Sequence, residues 1–163
     1  MARRVFFSFH YERDIWRASQ VRNSWVAKPD RETAGFWDSA SWEEVKRQGE
    51  TRVKQWIDRQ LSGTTVTAVL IGAQTSQRPY VGYEIVESCK MGNGLLGIYI
   101  HNIRDQSSSR DLKGENPLHN WWIVENGRKT YLDSMYPTYD WVSDRGYENF
   151  GTWVEEAAQR AGL

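Results

Sequence analysis

The run Val66-Thr67-Ala68-Val69-Leu70-Ile71-Gly72 is apolar or β-branched almost throughout. A strand with one solvated face alternates apolar and polar residues. An unbroken run belongs to a strand covered on both faces, as in a parallel sheet. Parallel strands need crossover connections, usually helices. The sequence supplies them. Residues 12–25 carry Ile15, Ala18, Val21, Arg22 and Trp25 at helical spacing. Ser41 and Glu44 stand in the reciprocal positions of a capping box. Behind them Trp42, Val45, Gly49, Val53, Trp56, Ile57 and Gln60 form one stripe, predicting a single helix that ends near Ser62-Gly63. Residues 80–91 and 148–161 are two further helices, the second with Phe150, Trp153, Val154 and Ala157 inward.

Residues 5–9, 94–100 and 139–142 read as further strands, and 33–38 as a loop or short edge strand. Strands alternating with helices predict an α/β fold, a flavodoxin-like, doubly wound parallel sheet with helices on both faces. The length of 163 residues suits one domain over 1–163. Segment 101–135 is polar and irregular. Trp121-Trp122-Ile123-Val124 is a candidate strand there, and Asn126-Gly127 a turn.

Charge narrows the function. Lys+Arg and Asp+Glu both number 21. Nucleic acid and anionic membrane surfaces require clustered positive charge, so neither is expected as a partner. The apolar part of the start, Val5-Phe6-Phe7-Ser8-Phe9, is too short for a signal sequence and is followed at once by His10 and Glu12. One cysteine, Cys89, cannot form an internal disulfide, so the expected compartment is the reducing cytoplasm. Nine tryptophans are many for this length. Most are expected in the core, the remainder in a pocket or at a partner surface.

Few motifs carry chemistry. Gly92-Asn93-Gly94-Leu95-Leu96-Gly97 matches G-x-G-x-x-G in letters. A dinucleotide fingerprint needs a strand before it and a helix after it, and here the order is reversed. His10, His101 and His119 lack metal spacing, so no metal is expected. What remains is Glu84, on the helix that follows the apolar strand. Ligands of open α/β sheets bind beyond the carboxyl ends of the strands, at such junctions. An acidic residue near a helix start also satisfies the helix dipole, so position alone leaves both a structural and a functional reading.

Four blocks bear a family resemblance: residues 4–11 (Arg-Val-Phe-Phe-Ser-Phe-His-Tyr), 21–26, 69–75 and Tyr83-Glu84-Ile85. They resemble the TIR-like family of bacterial proteins. Residues 139–147, continuing through Phe150 and Trp153, resemble the TIR-like proteins of Thoeris anti-phage defence. The resemblance implies cleavage of NAD between nicotinamide and ribose, then cyclisation to a cyclic ADP-ribose isomer. That product activates a separate effector protein. NAD is then substrate, and no cofactor is expected. The family's catalytic Glu corresponds to Glu84. Phe6 and Ser8 are expected in the same crevice, with Trp37 and Asp38 at its rim. The alternative is a TIR-like interaction module that signals by self-association without catalysis. Self-association is also expected of the enzyme, because TIR domains commonly complete their sites by assembly.

Overall fold

The computed structural model describes residues 3–29, 31–35 and 39–163, apart from the side chains of 39 and 40. Five parallel strands form the centre: β1 (Arg3–Ser8), β2 (Arg31–Ala34), β3 (Val66–Ile71), β4 (Gly94–Tyr99) and, after a two-stranded excursion, β7 (Thr138–Asp140). Their order across the sheet is β2-β1-β3-β4-β7. The chain runs outward from β1 to the edge strand β2, returns past β1 to β3, and continues the other way. The winding therefore reverses between β1 and β3, where Val5 pairs with Val66 and Ser8 with Val69. Crevices form beyond the strand ends at such a reversal.

Side-chain alternation sorts the helices onto two faces. Val5, Phe7, Ala68, Leu70, Leu96 and Ile98 pack against α1 (Tyr11–Val26) and α6 (Gly146–Arg160). Phe6 points to the opposite face, where α2 (Ser39–Arg47) and α3 (Glu50–Leu61) bring Trp42, Val53, Ile57 and Leu61. Val69, Ile71 and Leu95 also face that side and meet Val81 and Ile85 of α4 (Pro79–Met91). All six residues of β3 are buried, as its unbroken apolar run requires. No helix among the described residues is long and apolar enough to cross a membrane.

Two expectations need correction. The stripe over 42–62 is not one helix but two, α2 and α3, separated at Gln48-Gly49. Gly49 has φ 98°, which no right-handed helix accommodates. The first helix starts at Ser39, so Ser41 lies inside it rather than at its cap.

Segment 101–137 has more order than its composition suggests. β5 (Trp122–Glu125) and β6 (Arg128–Tyr131) form an antiparallel hairpin, with Glu125 opposite Arg128. Asn126 (φ 52°) and Gly127 (φ 75°) both take positive φ, the geometry of a type I′ turn. The short helix α5 (Leu132–Met135) follows. This excursion braces α4 from outside. Leu118 joins the cluster of Val81 and Ile85, and Trp121 lies so close to Gly82 that a methyl there would approach its ring to 2.7 Å. Gly92 ends α4 in the left-handed conformation, while Gly94 and Gly97 lie in β4 against Ala157 and Thr138. The glycine cluster therefore serves turn and packing.

Candidate active site

Glu84 is the sixth residue of α4, in its second turn. Pro79 occupies the first helical position, where its missing N–H costs nothing. This start directs Glu84 inward at the carboxyl end of β1. There Ser8 Oγ, on the last residue of the strand, donates to Glu84 Oε1 at 3.3 Å. Glu84 as a whole is only 6 % exposed. Burial drives its pKa well above the usual carboxylate value, and the Ser8 hydrogen bond offsets only part of this. No cation among the described residues contributes to the balance. The helix is anchored beneath the site, where Ser88 Oγ donates to the Glu84 carbonyl at 2.7 Å and also meets Thr67 Oγ1 of β3 at 2.7 Å.

The elements converging on this point bring further groups. His10 caps α1, its Nδ1 accepting from the Arg13 amide at 3.3 Å. Burial, then the Arg78 charge, lower its pKa, so the ring is held neutral. Next in chain, Tyr11 packs on Trp42 of α2, with centroids 6.0 Å apart, and Trp42 meets Tyr80 edge-on at 6.2 Å. Tyr80 lies one helical turn before Glu84, hence on the same side of α4. Beside this aromatic arc, Glu12 bridges Lys46 at 3.0 Å and Arg78 at 2.9 Å. Burial raises the Glu12 pKa, but the two cations more than reverse it, so the carboxyl stays ionised. The bridge ties α2, the start of α1 and the start of α4 together.

The structure thus brings Glu84 and Ser8 into contact. Phe6 lies on the same face, two residues before Ser8, but is fully buried among Trp42, Val53 and Ile57. It is part of the core under α2 and α3 rather than an open surface. Trp37 and Asp38 lie outside the described residues. Tyr11, Glu12, Lys46, Arg78 and Tyr80 were not singled out from the sequence, and Trp42 was read only as core. The available signal was the position of Tyr11 and Glu12 directly after β1 and of Arg78 and Tyr80 directly before Glu84, both at switch-point turns. Cys89, half-buried on α4, has a thiol pKa raised by burial, which suits packing rather than nucleophilic attack. Among the described residues no three His, Cys, Asp or Glu side chains converge to hold a metal ion.

A doubly wound parallel sheet with a buried carboxylate at its reversal point defines the class: a flavodoxin-like α/β protein with a site built on the strand ends. Two comparisons narrow it. A sequence model of the family described as "Thoeris protein ThsB, TIR-like domain" matches residues 6–105. A protein of Bacillus cereus (strain MSX-D12), "Putative cyclic ADP-D-ribose synthase ThsB1", is 36 % identical over an alignment covering 94 % of this chain and 100 % of that relative. The chain belongs to the family of ThsB TIR-like proteins of Thoeris.

Proposed function

We propose that the protein is an NAD-cleaving ADP-ribosyl cyclase of anti-phage defence, with Glu84 as its catalytic residue and Ser8 as the group that orients it. The observation that carries this reading is the buried, cation-free Glu84 carboxyl at the carboxyl end of β1, hydrogen-bonded by Ser8. A carboxyl so placed is costly to ionise when the site is empty. Nicotinamide in NAD carries a positive charge, and a positive charge nearby favours the carboxylate. As the bond between C1′ and nicotinamide breaks, its electron pair neutralises the ring nitrogen, and nicotinamide leaves without needing a proton. Positive charge moves onto the ribosyl carbon, as in glycoside hydrolysis. Glu84 Oε1 is fixed by Ser8, which leaves Oε2 to hold a ribose hydroxyl beside that charge. A fixed carboxylate in a dry site stabilises such a transition state strongly.

Cyclisation then forms a bond from C1′ to another part of the same molecule. It needs water excluded and the two ends held close. The Tyr11-Trp42-Tyr80 arc supplies an apolar wall for both. The cyclic product is released to a separate effector. NAD incubated with the protein should yield free nicotinamide and a cyclic ADP-ribose isomer. Glu84→Gln should yield neither, and undiminished product from that folded variant would refute the assignment.

A second reading rests on the hairpin. Trp122, Val124 and Tyr131 are exposed there, and Lys129 lies 3.7 Å over the Trp122 ring. Exposed aromatic surface suits an interaction module that self-associates without catalysis. Association with no nicotinamide release under any condition would favour it.

A further inference from the structure

We propose a second ligand site, for a nucleoside phosphate, in the groove between α1 and the turns that follow β4 and β7. The groove lies on the α1/α6 face of the sheet, opposite the face that carries Glu84. Its cavity has a volume of about 590 Å³, within the range of small-molecule sites. The lining is of three kinds. Trp16 lines one side and is 41 % exposed, and the largely buried Trp141 lines it as well. Tyr147 rises at the rim, 76 % exposed. Arg104 and Arg110 supply positive charge. Gln20 and Asn23, one helical turn apart in reach, present amides on the α1 side.

Charge decides the ligand class. The chain is neutral overall, and several of its arginines are paired with acids: Arg3 with Glu155, Arg13 and Arg17 with Asp111, Arg78 with Glu12. Arg104 and Arg110 have no acidic partner among the described residues, and no carboxylate lines the cavity. The acids nearest in sequence are committed elsewhere. Asp105 accepts from the Ser107 and Ser109 amides, and Asp111 is held by Arg13. Arg104 Nη1 donates to the Ser108 carbonyl at 2.9 Å, which leaves its charge unneutralised, and guanidinium groups without an acid suit phosphate. Trp16 Nε1 points at the Arg104 carbonyl, 3.4 Å away. An indole face beside guanidinium donors and side-chain amides matches a molecule with a phosphate at one end and a flat, hydrogen-bonding ring at the other.

The inference does not rest on NAD turnover, because binding is read without reaction. The probe is adenosine monophosphate, titrated into the full chain and followed by calorimetry and by amide shifts. The expected result is saturable binding with shifts at Gln20, Asn23 and Asn102, equal in wild type and Glu84→Gln. Arg104→Ala with Arg110→Ala, and separately Trp16→Ala, should each weaken it by about ten-fold or more. Arg110→Lys, which keeps the charge, should lose less, and unchanged circular dichroism certifies each fold. Absence of binding at millimolar nucleotide overturns the proposal. So does binding lost in Glu84→Gln but kept in the arginine variants, which would place the ligand in the other crevice. An acidic peptide that binds these arginines where the nucleotide does not would assign the groove to a protein segment instead.

Discussion

Glu84→Gln should stabilise the protein at neutral and alkaline pH while removing its activity. In the folded chain the carboxyl is buried, with one neutral donor and no cation. Its folded pKa is raised above the unfolded value of 4.5. Below that value both states hold the proton, and burial of the neutral acid carries no ionic penalty. As pH rises between the unfolded and the folded pKa, only the unfolded state releases its proton. Stability then falls with a slope approaching about 1.4 kcal/mol per pH unit. Above the folded pKa the loss is complete and constant. Gln is close in shape, accepts from Ser8 and does not titrate. For a chain of this length, about 1 kcal/mol moves Tm by roughly 2–4 °C. The variant's Tm should therefore gain on wild type by about 3–6 °C for each pH unit inside that window. His10 and Asp14 also titrate abnormally, but they are common to both proteins and cancel in the difference. Calorimetry from pH 4 to 9 measures it, and nicotinamide release measures the activity, which should fall by more than about 100-fold. Parallel Tm curves would show that Glu84 ionises freely, and the electrostatic argument for its role would fail.

Ser8→Ala removes the contact that opposes burial, so the Glu84 pKa should climb further and the acid limb of the pH–rate profile should move to higher pH. An unmoved limb would mean that Ser8 does not touch the working carboxylate. His10→Ala should cost about 1 kcal/mol as a lost helix cap, read as a drop in urea midpoint, while His10→Asn should restore most of it. Because the folded pKa of His10 is depressed, its contribution is present above the unfolded value of 6.5 and is lost as pH falls, so the deficit of His10→Ala should shrink in acid. A methyl on Gly114 would overlap the Gly72 carbonyl and the Ala73 backbone. Gly114→Ala should therefore destabilise by about 1–3 kcal/mol, and an unchanged midpoint would show that this segment does not rest on the end of β3.

The sheet was legible because buried parallel strands leave a signature that local sequence carries. Val66-Thr67-Ala68-Val69-Leu70-Ile71 admits few other readings, and Gly94 with the residues after it repeats the pattern. Glu84 was legible as a position, directly after that strand. Its partner Ser8 was legible as a neighbour because β1 ends there. The split at Gly49 was not, since a glycine on an apolar stripe looks like close packing until its φ is known. The hairpin's turn was visible in Asn126-Gly127, but its attachment to α4 was not. Contacts such as Trp121 on Gly82 join residues far apart in sequence, and no periodicity records them. The aromatic arc was hidden for a related reason. Trp42 serves core and site together, and spacing reports only the first.

The energetics separate Glu84 from Asp14, the other buried acid among the described residues. Asp14 is almost fully buried, 1 % exposed, and burial, with the Asp111 charge, leaves its pKa raised, but Arg13, at 3.1 Å, and the Arg17 charge oppose that rise. Its two arginine neighbours reduce the cost of ionising it, as in a structural ion network. Glu84 has no such cation among the described residues. A Gln would accept the same hydrogen bond, and an aliphatic side chain would fill the same space with no charge to desolvate. As a structural residue, Glu84 therefore costs stability that its packing does not return. That cost becomes intelligible when the compensating positive charge arrives with a substrate, which is the property a cation-stabilising carboxylate needs.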